Sequence, residues 1–455
     1  MDVNKGLFSL RTLILAAAAV IVVVAIGFYW IAGGPGALDF APGQKVALED
    51  YKGADPTGVP ASLSEASLIE RGEYLARAAD CQACHTAPGG VPFAGGLAFK
   101  TQFGTMYSPN ITADKETGIG AWSDAAFMKA LREGVDDEGV HLYPAMPYAS
   151  YTYMTDVDVL AIKAYLFSLA PVSNVPPAND LGFPFNQRGL MAIWSLLYNP
   201  NHRFEPNSAE SDEWNRGAYL AEALAHCGDC HTPRNKLQAL DNRRKYAGTQ
   251  VQGWMAYNIT SDETAGVGAW SNEALNKYLA AGYAEGHGAA AGPMAEAVDL
   301  SLSKLDPADI AAITTYLRSV PAKRGRGLPA PKQEPAPASH KMGVAETIDP
   351  LGKKIYEGAC ASCHGWDGAG ALNAYATLTG ARSVNDPSAV NLVQVVISGV
   401  KRGTPDDLTF MPSFGGAYSD TEIAALANYV TARFGGEPSK LSAKDVAALR
   451  EQSPH

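Results

Sequence analysis

The hydrophobic pattern begins with a long apolar segment at the amino terminus. LILAAAAVIVVVAIGFYWIA, residues 13–32, is a run of 20 uncharged residues that follows Lys5 and Arg11. As a helix it spans roughly 30 Å, about one hydrocarbon core, with aromatic side chains near its outer end and basic ones on the inner side. We predict a retained transmembrane anchor over residues 1–36, with the amino terminus cytoplasmic and the rest in the periplasm. A long cleaved signal peptide is the alternative.

Apolar residues at helical spacing then close each of three successive units. The closing helices are predicted at DVDVLAIKAYLFSL (156–169), DPADIAAITTYLRSV (306–320) and SDTEIAALANYVTARF (419–434). Each carries a tyrosine followed by an aliphatic residue at a similar place. The recurrence predicts three tandem, mainly α-helical domains of one design.

Longer segments repeat between the first two units, as in a duplicated fold. RGEYLARAADCQACHT (71–86) parallels RGAYLAEALAHCGDCHT (216–232), and NITADKETGIGAWS (110–123) parallels NITSDETAGVGAWS (258–271). We predict that the glycine after each arginine lets the first helix of its unit approach the closing helix. The Asn-Ile-Thr sequences match a glycosylation acceptor pattern. Because their whole surroundings recur, we assign them to internal loop structure.

Composition sets the domain boundaries. A stretch rich in Pro, Lys and Ala predicts an extended linker before the third unit. The connection between the first two units holds LGFPFNQRGLMAIWSLLY (181–198), which is either a strap packed across two domains or a contact surface for a partner subunit or the membrane. The predicted organisation is an anchor (1–36), a first domain (60–175), a connecting strap (176–212), a second domain (213–321), a linker (322–345), a third domain (346–434) and a tail (435–455).

Charge and cysteine usage narrow the function. The net charge of −11 argues against nucleic acid as a partner. The six cysteines all lie in three C-x-x-C-H motifs, CQACHT, CGDCHT and CASCHG. This motif allows a metal site, a redox disulfide or a cofactor attachment. A structural zinc site would need a second ligand pair in each unit, and a thioredoxin-like motif needs a βαβ context.

The remaining answer is covalent haem c, which the motif indicates directly. On a helix, residues three and four apart share a face, so two thiols and an imidazole can meet one haem. We predict three covalently bound haem c groups. The predicted thioether cysteines are Cys81, Cys84, Cys227, Cys230, Cys360 and Cys363, and the predicted proximal iron ligands are His85, His231 and His364.

A methionine in each unit is the predicted sixth iron ligand. Met146, Met294 and Met411 lie between the motif and the closing helix, each next to a proline. Met/His ligation fills both axial positions and is typical of class I-like cytochrome c domains that transfer electrons. His141 and His287 are rival ligands in the first two units. The methionines could also be ordinary core residues.

Other candidate roles are weaker. Arg188 and Arg234 could pair with haem propionates. Trp122, Trp270 and Asn110 could line haem edges or simply pack. No dinucleotide, phosphate-binding or Ser/His/Asp pattern accompanies the motifs, so we expect no catalytic site in this chain.

These motifs, together with YSPNITADKETGIGAWSD and LYPAMPYASY, resemble the tri-haem cytochrome c subunit of membrane-bound, quinone-reducing dehydrogenases of acetic acid bacteria. The resemblance implies a periplasmic electron conduit to ubiquinone, fed by a catalytic subunit that carries molybdenum, PQQ or flavin and sometimes accompanied by a small third subunit. It also implies the six axial ligands already named.

Within that family the aldehyde, alcohol, gluconate and sugar dehydrogenase types are open, the last including the sorbitol and fructose dehydrogenases. An apparent retained anchor and a short tail favour the aldehyde dehydrogenase type, because alcohol-type members usually begin with a cleaved signal and have longer tails. Two other functions are alternatives: an anchored donor to a terminal oxidase, and a multihaem peroxidase with one open or labile haem.

Overall fold

The computed structural model describes residues 14–20, 27, 33–324, 349–403 and 408–453. Most of the predicted anchor and of the predicted linker (322–345) therefore lies outside the described residues. Within the described ranges, no helix has the length and apolar character needed to cross a membrane. The anchor stays a prediction from the sequence.

The described chain is mainly helical, as predicted, with a helical stretch also at 14–20. The longer helices begin at side-chain caps: Ser67 and Ser419 form capping boxes, and Thr155 accepts a hydrogen bond from the backbone of Asp158. In chain order the α-helices of the described residues are α1 (Leu68–Ala78), α2 (Cys81–Cys84), α3 (Asp124–Glu133), α4 (Tyr148–Tyr151), α5 (Asp156–Ser168), α6 (Gly189–Tyr198), α7 (Asp212–Tyr219), α8 (Gly228–His231), α9 (Asn272–Ala281), α10 (Gly292–Leu300), α11 (Pro307–Ser319), α12 (Pro350–Ile355), α13 (Ala361–His364), α14 (Arg382–Asn385), α15 (Val390–Ser398), α16 (Asp420–Phe434) and α17 (Ala443–Gln452).

Short antiparallel strands accompany the helices. β1, β2 and β3 form one sheet, with Ala98 opposite Tyr107; β4 pairs with β5, β6 with β7, and β8 with β9. The strands are β1 (Ala98–Thr101), β2 (Gly104–Tyr107), β3 (Asp180–Leu181), β4 (Thr249–Val251), β5 (Trp254–Ala256), β6 (Tyr283–Ala284), β7 (Gly288–Ala289), β8 (Val400–Gly403) and β9 (Leu408–Met411).

The first and closing helices pack against each other in every unit, as the pairs α1–α5, α7–α11 and α12–α16. A Cβ atom added at Gly72 would lie 1.9 Å from the carbonyl oxygen of Ala161, and one at Gly217 would lie 1.9 Å from that of Ala312. The prediction that these glycines permit a close helix approach is confirmed. Gly352 occupies the same place in the third unit.

Two hydrophobic cores hold the described structure together. The first two units share one core, which includes Leu75 and Tyr219, whereas the third unit has its own, which includes Tyr356. Residues 435–455, set apart as a tail in the sequence analysis, contain α17. Val446 and Leu449 of this helix are buried in the third unit's core. The segment is therefore a packed part of that unit, because its apolar side chains cover α15 and α16.

The segment between the first two units contacts both of them. The indole nitrogen of Trp194 in α6 donates to the carbonyl of Leu237 at 2.8 Å, and the Asn199 amide donates to the carbonyl of Arg132 at 2.6 Å. These bonds support the interpretation as a strap. Its outer side is apolar and open to solvent, with Leu196 84% exposed.

Candidate functional site

Each C-x-x-C-H motif lies on one short helical turn, and each of its histidines makes the same hydrogen bond. Nδ1 of His85 lies 2.8 Å from the carbonyl oxygen of Pro109. Nδ1 of His231 lies 2.6 Å from that of Tyr257, and Nδ1 of His364 lies 2.6 Å from that of Ala376. A carbonyl can only accept, so Nδ1 carries the proton in all three imidazoles.

This bond prepares the histidines to bind iron. With Nδ1 protonated and held by a carbonyl, the lone pair of Nε2 is free, as in most metal-binding histidines. Burial lowers the pKa of His85, His231 and His364, which keeps the rings neutral. The three proximal histidines predicted from the sequence thus share one local geometry.

The cysteines are free thiols in the described structure. Burial raises the pKa of Cys81 and of Cys227 to about 12, so both stay protonated at neutral pH. Two free thiols beside a neutral imidazole are what covalent haem attachment requires.

A cavity of about 330 Å³ in the second unit brings its predicted site residues together. Cys227, Cys230, His231 and Met294 all line it, among mainly apolar walls. The indole N–H of Trp254, which also lines the cavity, is buried and has no hydrogen-bond acceptor in the described part of the chain. The two thiols, the neutral imidazole, the thioether and the unpaired donor fit a haem with its carboxylate side chains.

The rival sixth ligand lies in the same cavity. The ring of His287 stacks on Trp270, with centroids 3.7 Å apart and planes 14° from parallel. Burial and the charge of Arg382 lower the pKa of His287 to about 4. Met294 lies at the start of α10, just after Pro293. Both side chains line the cavity.

The other two methionines lie beside the cores of their units. Met146 is partly buried against the shared core, which Cys81 also contacts. Met411 ends β9 and packs, together with Cys360, against the core of the third unit.

The two arginines proposed for haem propionates also have contacts within the protein, and their assignment stays a prediction. Arg188 lies over the ring of Tyr143, 4.8 Å from its centroid, and donates to the carbonyl of His141. Arg234 donates to backbone carbonyls and forms an ion pair with Asp229.

The repeated Asn-Ile-Thr segments are internal loops, as predicted. The side-chain oxygen of Asn110 accepts from the backbone and hydroxyl of Thr112, and Asn258 does the same with Thr260. Both asparagines are buried, at 2% and 5% exposure, which leaves no room for a glycan.

The first two motifs meet at the junction of their units. Cys84 of the first unit lines the cavity of the second, as does Cys230. Asp80, just before the first motif, also lines this cavity together with Glu296. One carboxylate oxygen of Asp80 is buried with no hydrogen-bond partner in the described ranges.

Sequence reasoning missed several of these residues. Arg382 and Trp254 lie outside the repeated segments, so no sequence signal marked them. Asp80 lies inside the first repeat, but His226 occupies its place in the second, so the repeat gave no sign of a shared role. Gly352 could have been found, because PLGKKIY places its glycine before an aromatic residue in the first helix of the third unit.

Comparison with known proteins places the chain among the cytochromes c. The cytochrome c family model matches residues 69–170 and 351–433. The chain is 41% identical to the fructose dehydrogenase cytochrome subunit of Gluconobacter japonicus, over 87% of this chain and 85% of that protein. It is 34% identical to the alcohol dehydrogenase (quinone) cytochrome c subunit of Gluconobacter oxydans, over 85% and 83%. It is also 40% identical to a nicotinate dehydrogenase component of Pseudomonas putida, over 82% of this chain but only 31% of that longer protein.

Proposed function

Since this chain belongs to the family of dehydrogenase cytochrome c subunits, we propose that it is the tri-haem c subunit that carries electrons from a catalytic dehydrogenase subunit to ubiquinone. The observation that supports this most strongly is the threefold C-x-x-C-H motif with the same histidine–carbonyl bond each time. The three haem domains would be those at 60–175, 213–321 and 346–434.

The residues have separate tasks in this proposal. The six motif cysteines would attach the cofactors covalently, and His85, His231 and His364 would be the first set of iron ligands. Met146, Met294 and Met411 would be the second set of iron ligands, which is typical of haems that transfer electrons. Haem c, when bound, supplies one-electron exchange between ferrous and ferric iron.

The packing of the units supports transfer along the chain. Cys84 of the first unit and Arg382 of the third unit both line the cavity that holds Cys227 and Cys230. The second unit therefore contacts both neighbours at the place where its cofactor would bind. Such contacts shorten the distance between successive redox centres.

The catalytic partner and the membrane complete the proposal. One relative is named as the cytochrome c subunit of a quinone-dependent alcohol dehydrogenase, and this supports ubiquinone as the acceptor. We infer a periplasmic location at the inner membrane from the apolar segment at 13–32. The apolar segment supports an aldehyde as the substrate of the catalytic partner. That partner would carry molybdenum, PQQ or flavin, and a small third subunit would accompany it where one is present.

The test is to purify the tagged chain from its native membranes in mild detergent, identify the proteins that accompany it and count its haems. We expect a large dehydrogenase subunit to accompany the chain, and we expect three haems per chain. An aldehyde or alcohol should reduce the haems, and added ubiquinone should reoxidise them. A Cys360→Ala/Cys363→Ala variant is the matched control and should hold two haems. A chain that emerges alone, or with a haem–copper oxidase, would overturn the proposal.

A further inference from the structure

An arginine of the third unit enters the second unit beside its predicted haem site. Arg382, at the start of α14, lines the cavity that holds His231 and Met294. Its guanidinium lies 4.8 Å from the ring centroid of Tyr257 and 6.0 Å from that of Trp270. The side chain thus crosses the boundary between units and ends against aromatic walls.

The charge of this guanidinium has no close counter-ion. Its hydrogen bonds go to backbone carbonyls, at 2.6 Å to Ala265 and 3.4 Å to Asn258. In the part of the chain that the structure describes, no carboxylate oxygen forms an ion pair with it within 4.0 Å, and Asp386 acts only at longer range.

Such a cation is costly to bury. Burial lowers the pKa of Arg382, yet arginine remains protonated in proteins. A charge away from water is normally paired or strongly hydrogen-bonded, because the desolvation of an unpaired ion is unfavourable. The position of Arg382 therefore calls for an anion inside the cavity.

The cavity also presents a second free donor. The Trp254 indole N–H is buried there without an acceptor among the described residues. A guanidinium fork and an indole N–H together suit a carboxylate, which accepts several hydrogen bonds. A haem carries two such groups, its propionates.

We propose that Arg382 is the counter-ion of a propionate of the haem held by Cys227, Cys230 and His231, with Trp254 as the second donor. The inference rests on the proposed haem content. With this role for Arg382, the third unit forms part of the haem-binding site of the second unit. A fixed positive charge near this haem disfavours the ferric state and so raises its reduction potential.

A second arginine from the third unit provides the comparison. Arg402 also reaches the second unit and is buried, but it forms an ion pair with Asp299 at 2.6 Å and donates to the carbonyl of Gly282. Its charge is already neutralised within the protein. Replacing it tests the contact between the units without removing a haem counter-ion.

The experiment uses the full chain matured in its host, with Arg382→Gln, Arg382→Lys and Arg402→Gln compared with wild type. Haems are counted from the alkaline pyridine spectrum, and the potentials are measured by optical redox titration. For Arg382→Gln we expect three haems per chain. One of the redox components should have a reduction potential lower by ~59 mV, which is a tenfold change in its one-electron equilibrium constant. Arg382→Lys should shift the same component less, and Arg402→Gln should shift none.

Unchanged potentials in Arg382→Gln with all haems present would overturn the inference, and so would an equal shift in Arg402→Gln. If Arg382→Gln does not accumulate, Trp254→Phe decides: a lowered potential for one component supports the inference, and an unchanged one overturns it. Fewer than three haems in the wild type would instead refute the proposed function, so the two failures are distinguishable.

Discussion

The hydroxyl of Tyr74, in the first unit, donates a hydrogen bond of 2.6 Å to Asp309, in the closing helix of the second. The second unit makes the equivalent bond to the first: the hydroxyl of Tyr219 donates to Asp158, in the closing helix of the first unit, at 2.5 Å. The same carboxylate of Asp309 receives two bonds from Arg216. The first two units are thus joined reciprocally around a shared core, like the halves of a pseudo-symmetric dimer.

This reciprocal pairing predicts a specific loss of stability. Tyr74→Phe or Tyr219→Phe removes a buried hydrogen bond to a carboxylate, and we expect a cost of about 1.5–3 kcal/mol in the free energy of unfolding. Thermal unfolding followed by circular dichroism measures it. Tyr148→Phe is the control, because the Tyr148 hydroxyl is buried without a partner among the described residues. Equal stability of all three variants would contradict the prediction.

The glycines at the helix crossings give a second prediction. A Cβ atom at position 352 would lie 2.1 Å from the carbonyl oxygen of Ala425, so Gly352→Ala must push α12 and α16 apart. We expect a loss of about 3 kcal/mol, seen as early melting of the third unit. At Gly358, a Cβ would meet no atom within 4 Å. Gly358→Ala should therefore melt like the wild type, and similar melting of both variants would argue against the steric explanation.

The ligand assignment gives a third prediction. Met411→Ala should leave the haem attached but abolish the near-infrared Met-to-iron band for one haem in three, because the thioether is the proposed ligand. Retention of the full band would show that another residue binds this iron.

In the second unit the same band distinguishes two candidates. Met294→Ala should remove a third of it, whereas His287→Ala should leave it intact. Met255 lines the same cavity, so Met255→Ala controls for the loss of a nearby thioether. The opposite pattern, with the spectrum altered by His287→Ala alone, would make the histidine the ligand.

Asp80, at the junction of the first two units, gives a prediction about how the free energy of unfolding depends on pH. Burial and the charge of Glu296 raise the pKa of Asp80 to about 8, whereas an unfolded chain has a value near ~3.9. Between these two pKa values the folded state binds more protons than the unfolded state. The stability contributed by Asp80 is therefore full below the lower pKa, and it is lost as the pH rises through the higher one. The slope contributed is at most about 1.4 kcal/mol per pH unit.

Asp80→Asn removes this titration. Denaturant unfolding of both proteins at several pH values between 5 and 9 should show a smaller decline for the variant. Parallel curves for variant and wild type would mean that Asp80 titrates near its ordinary value.

Much of this protein follows from local sequence. The bounds of the closing helices agree with the predicted segments to within a residue or two, because helix periodicity and capping act over a few positions. The haem-attachment residues could also be predicted locally, since Cys, Cys and His must fall on one helical turn to meet one cofactor. The closely packed glycines could be predicted because the repeat showed them twice.

The tertiary structure decided what joins these units. The bond from Tyr74 to Asp309 spans 235 residues, and Arg382 reaches a cavity built by a different unit. The repeat marks Tyr74 but not its partner, and no repeated pattern marks Arg382. A tyrosine or an arginine acquires its partner only when distant helices approach. The burial of α17 follows the same rule, since an amphipathic segment does not specify which surface it covers. Sequence alone predicted the cofactor chemistry of each unit, and packing determined the charges and contacts around each motif.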